Sequence, residues 1–128
     1  MFGELEHIGI AAKNVEALSA WYVEALGYQV AYRDPKTGTQ FLKHGRRSML
    51  EVTPANDVPR KPRDMKDAGL IHLAIWTDDF DRSYAALKAR GVKFVSPVDE
   101  EPGVKKVVFF EDPEGNLLHL MYRPTPLG

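Results

Sequence analysis

The chain has 128 residues and a mass of 14.4 kDa, with 44% hydrophobic and 27% charged residues, enough for one compact domain with a packed core. Its net charge of −1 gives no global attraction to nucleic acid or anionic lipid, and no apolar run is long enough to span a membrane. The absence of cysteine removes disulfides, thiolate metal sites and a cysteine nucleophile. The start, MFGELEH, lacks the basic and apolar stretches of a signal peptide, so a cytoplasmic protein is expected.

In chain order, a short strand is predicted from His7, followed by a helix capped by Asn14, whose apolar face is Val15, Leu18, Tyr22 and Leu26. Gly27 suits a left-handed helix stop. Strands are then predicted over 28–33, 39–43 and 48–53. Residues 54–69, rich in proline and mixed charge, read as a solvated linker. A second copy begins at His72, with Asp79 (or Asp78) as cap, Phe80, Tyr84 and Leu87 as helix face, and Gly91 as stop. Strands over 92–95, 106–111 and 117–123 follow, the last two joined by the turn Asp112-Pro113-Glu114-Gly115.

The chain is therefore a tandem βαβββ repeat of the α+β class, one domain over 1–128 with modules at about 5–53 and 70–123. Strand alternation separates the two faces of each module. Ile8 and Ile10 pack on the helix and leave His7 on the other face. Ile71, Leu73 and Ile75 likewise leave His72 with Ala74 and Trp76. Leu50 and Val52 leave Glu51 with Met49, and Leu118 and Leu120 leave His119 with Leu117 and Met121. Each of these four groups, taken alone, reads as a satisfied polar residue on a half-wet sheet. Together, three imidazoles and a carboxylate would suit zinc, iron, manganese, cobalt or nickel, if they converge. Glu51 is the most telling, because a carboxylate on an apolar strand is costly without a cation or donors. His44, in KHGRRS, reads as an exposed turn residue.

The segments HIGIAAKNVEALSAWYVEALGY, MLEVTP, LIHLAIWTDDF and FFEDPEGNLLHL resemble, in order, the vicinal oxygen chelate superfamily, which includes glyoxalases, epimerases, extradiol dioxygenases and bleomycin-resistance proteins. The resemblance covers nearly the whole chain. It implies two modules forming a cup-shaped mixed sheet with helices outside. It also implies a divalent metal ion, identity open, held by His7, Glu51, His72 and His119, and a homodimer. Glu51, the one carboxylate of the set, is then the expected proton carrier in lyase or isomerase chemistry on a small substrate chelated through vicinal oxygens. An extradiol-type dioxygenase and a metal-free, bleomycin-resistance-like binding protein are the alternatives.

The departures bear on the branch. Glyoxalase I and the epimerases usually carry Glu where this chain has His119, and glutathione-using glyoxalases carry Arg and Asn where it has Ala11 and Ala55. Trp76 and Met49 are candidate pocket walls, and the Trp21–Tyr22 pair reads as helix packing. Arg33, Arg46, Arg47, Lys105 and Lys106 are candidate contacts for an anionic substrate, each weighed against an ordinary surface charge. PRKPRDMK has interrupting acids and no interleaved aromatics, so no nucleic-acid partner is expected. No phosphate-binding glycine loop, G-x-S-x-G elbow or H-E-x-x-H motif occurs.

Overall fold

The computed structural model describes residues 1–128 as two compact units, Met1–Arg60 and Lys61–Gly128. The first contains β1 (Ile8–Ala12), α1 (Val15–Leu26), β2 (Gln29–Arg33), β3 (Gln40–His44) and β4 (Ser48–Pro54). Its sheet runs β1-β4-β3-β2, with β1 parallel to β4 and the other pairs antiparallel. The second contains β5 (Leu73–Trp76), α2 (Phe80–Ala89), β6 (Lys93–Phe94), β7 (Asp99–Glu101), β8 (Lys105–Glu111) and β9 (Leu117–Tyr122). Its order, β5-β9-β8-β6 with β5 parallel to β9, repeats the first. The α+β class and the paired βαβββ modules expected of the sequence are present.

The helices form where caps and apolar spacing direct. Asn14 accepts a hydrogen bond from the Ala17 N–H at 3.0 Å, and Asp79 accepts one from Arg82 N–H at 3.1 Å. Each satisfies a first-turn donor that the helix itself cannot. At the far end of α1, Gly27 adopts φ 76° and returns its N–H to the last turn. In α2 the cap is Arg90, and the positive φ of 73° falls on the following Gly91.

Each helix covers one sheet face. Leu18 and Tyr22 of α1 are buried with Leu42, Leu50 and Val52. Phe80 and Leu87 of α2 are buried, as are Val108, Phe110, Leu118 and Leu120. At about 1.5–3 kcal/mol per fully buried large apolar side chain, these layers supply most of each unit's stability.

Three details differ from the sequence expectation. Both first strands start one residue after their histidine, so His7 and His72 stand at strand mouths rather than within the ladder. Ile71, expected on the helix-packing face, is 47% exposed, because it precedes β5 and no ladder fixes its orientation. β7 adds an edge segment paired with β8.

Candidate functional site

In the first unit the parallel β1–β4 register sets Gly9 opposite Glu51. His7, two residues before Gly9, brings its Nε2 to 4.0 Å from Glu51 Oε2. That is too long for a hydrogen bond. It is close to the separation of two ligands sharing one ion, about 3.3–3.5 Å for tetrahedral bonds of ~2.0–2.2 Å. The other ring nitrogen, Nδ1, lies 2.8 Å from Glu6 Oε1. An Nδ1–H donating to that carboxylate leaves the Nε2 lone pair directed to the Glu51 side. A Cβ at Gly9 would stand 3.6 Å from Glu51 Oε1, an ordinary contact, so a small side chain is tolerated there. Phe41, directly opposite Glu51 on β3, sets its ring edge-on to His7 at 5.6 Å, and Tyr32 lies 6.3 Å beyond it.

The second unit repeats the arrangement. Ala74 stands opposite His119 in the β5–β9 register, as Gly9 stands opposite Glu51. His72, two residues earlier, places its ring 4.1 Å from that of His119. Phe109, opposite His119 on β8, packs against both imidazoles at 4.9 and 5.5 Å. His119 is only 7% exposed, and neither of its ring nitrogens has a hydrogen-bond partner. Burial first, then the charges of His72, Lys105 and Arg123, pushes its pKa down to about 4. At neutral pH the ring is an uncharged imidazole with a free lone pair.

The four sequence-predicted residues thus occur as two pairs, His7 with Glu51 and His72 with His119, one pair to each unit. In neither unit do three His, Asp or Glu side chains form a group that could hold a metal ion by itself. The donor types suit a divalent ion: an imidazole and a carboxylate in the first pair, and two imidazoles in the second, where both ring nitrogens of buried His119 have no partner. His44 belongs to neither pair. It ends β3, exposed, with its ring 5.4 Å from Tyr28.

Glu6, Gly9, Phe41 and Phe109 were not singled out by sequence reasoning. One signal existed for the phenylalanines: the displacement that takes Glu51 to His119 also takes Phe41 to Phe109. Of the suggested wall residues, Trp76 is 53% exposed and opposite Met121, while Met49 is half-buried opposite Lys43. Tyr22 is fully buried, a packing residue as read. Among the cations, Arg47 pairs with Glu4. Lys106 lies 3.0 Å from Asp81 and 3.8 Å from Glu100, with its pKa raised chiefly by the Asp81 hydrogen bond.

The model of the Glyoxalase/Bleomycin resistance protein/Dioxygenase superfamily matches residues 4–120. The structure of a glyoxalase family protein from Enterococcus faecalis superposes with a TM-score of 0.77 at 31% identity, covering 94% of this chain and 98% of that one. The Bacillus subtilis (strain 168) protein YwkD is 29% identical over 115 residues, covering 86% of this chain and 89% of its own length. Biphenyl-2,3-diol 1,2-dioxygenase 3 from Rhodococcus globerulus is 28% identical over 122 residues, 91% of this chain but 61% of the dioxygenase.

Proposed function

The chain belongs to the Glyoxalase/Bleomycin resistance protein/Dioxygenase superfamily, and from that premise we propose that it is a divalent-metal-dependent lyase or isomerase acting on a small substrate chelated through vicinal oxygens. The observation that carries the reading is His119, an apolar-strand imidazole buried beside His72 with both nitrogens unpaired. Leaving such a group dry costs about 1–3 kcal/mol, which a ligated cation would offset.

In this reading His7, Glu51, His72 and His119 hold the ion, which is zinc, iron, manganese, nickel or cobalt. When bound, it supplies Lewis-acid polarisation of a substrate carbonyl. Glu51 takes a proton from the carbon beside that carbonyl and returns it to the neighbouring position. It is the one carboxylate of the set, and its half-exposed side chain leaves it access to substrate. Glu6 orients the His7 ring, and Phe109 packs against the buried imidazole of His119. A homodimer in the cytoplasm completes the proposal; light scattering on the purified protein and cell fractionation check those two points.

Proton exchange tests the chemistry. Turnover of a 2-hydroxycarbonyl panel in D2O should place solvent deuterium in the product, and Glu51→Gln should abolish it while keeping most of the metal. Normal turnover by that variant would remove Glu51 from the role.

A second reading, extradiol-type dioxygenase, draws on the similarity to the Rhodococcus globerulus enzyme. It predicts oxygen uptake with a catechol in the iron-loaded protein and none in the zinc-loaded protein. A chain that binds small ligands and no metal would instead fit sequestration of the bleomycin-resistance kind.

A further inference from the structure

Residues Lys105 and Arg123 occupy the far end of the sheet face that carries His119. The β8–β9 register pairs Phe109 with His119 and Val107 with Met121. Carried on through Lys106 and Tyr122, it sets Lys105 opposite Arg123, which follows β9. About 13 Å of strand separates His119 from Arg123. Between them lie Met121, Val107 and, on β5, Trp76.

Two like charges directly opposite each other across a ladder are destabilising. Here both are half-buried, and the second unit's ion pairs run elsewhere. Lys93 pairs with Glu111, and Lys106 pairs with Asp81 and Glu100. Glu101 stands opposite Lys105 on β7 and Asp99 opposite Val107, yet neither reaches Lys105 or Arg123 as an ion pair. Lys106, the neighbour in sequence, is neutralised on the α2 side over the Phe80 ring. A half-buried cation pair with no carboxylate at ion-pair distance, beside an apolar strip, is an arrangement that an anion would relieve.

We propose that Lys105 and Arg123 form an oxyanion-binding subsite, and that the substrate carries a carboxylate or phosphate at the end remote from its chelating oxygens, with an apolar middle over Met121, Val107 and Trp76. This rests on the reading that the His72–His119 face binds substrate. It narrows the substrate class to anionic compounds and assigns Lys105 and Arg123 as specificity residues.

The test uses the full-length chain without metal, so that no anion binds through an ion. Inorganic phosphate and succinate are titrated separately, following the Arg123 side-chain N–H by NMR and the thermal midpoint by calorimetry. At least one anion should give a saturable shift, and which one distinguishes a phosphate from a carboxylate substrate. Lys105→Ala/Arg123→Ala should weaken binding, followed by calorimetric titration, by at least about tenfold, the loss of charge-assisted hydrogen bonds. Arg123→Lys should stay within about threefold, and Arg46→Ala, an exposed control, should match wild type. The alanine pair should also raise the anion-free midpoint by about 1–4 °C, as repulsion is removed. No saturable shift with either anion, or unchanged affinity in the double variant, would overturn the proposal. A wild-type chain that loads metal yet ignores both anions would sink this subsite alone. Anion binding in a chain that takes no metal would sink the metal reading alone.

Discussion

At the residue scale, His119 joins stability to function. Above pH 6.5 both folded and unfolded chains keep this ring neutral. As pH falls from about 6.5 to about 4, the unfolded ring takes a proton that the buried ring refuses, so stability declines through that window and levels off below it. Urea unfolding of the metal-free protein at pH 7 and pH 4.5 should therefore show a loss that His119→Leu reduces by about 2 kcal/mol. An equal loss in the variant would assign the acid sensitivity to other groups. Glu6 offers a second test at this scale. Through the 2.8 Å contact it orders the His7 ring, so Glu6→Ala should weaken metal binding by about tenfold while the thermal midpoint holds. A midpoint that falls while affinity stays would make Glu6 a structural residue only.

At the element scale, each module depends on its caps and on one apolar layer. Asn14→Ala removes the acceptor for Ala17 N–H and should cost about 1 kcal/mol. Leu50→Ala opens a cavity beneath α1, where Leu50 is 2% exposed, and should cost about 2–5 kcal/mol. Chemical denaturation measures both, and a near-zero loss at Leu50 would place the core elsewhere. These elements were legible because their signals are local: a cap, an apolar repeat, a glycine stop. β7 was not. Asp99-Glu100-Glu101 has no apolar alternation, and it becomes a strand only because β8 supplies a free edge. Ile71 shows the same limit in reverse, since it lies two residues before β5, where no ladder fixes the face it takes.

Across the whole molecule, duplication is the feature that made the candidate site readable. Aligning His7 with His72 exposes the repeat, and the same duplication sets Glu51 and His119 at equivalent places; the family resemblance implies that all four are ligands. The structure adds that both later positions face a phenylalanine across the ladder and a small residue across the parallel pair. That pattern could not be read from local sequence, because it depends on register between strands far apart in the chain. The separation of Lys105 from Lys106 has the same origin. Adjacent lysines look interchangeable until the pleat sends one to Asp81 and the other to the face of His119.

The proposal to test first is that His7, Glu51, His72 and His119 hold a metal ion. Elemental analysis of protein purified without chelator or added metal, beside His7→Ala and His119→Ala, tests it most directly because the variants lie in different units. Near-stoichiometric metal is expected in the wild type, and its loss in both variants. Wild-type protein that takes up no divalent ion when several are offered, or metal retained in full by both variants, would contradict it.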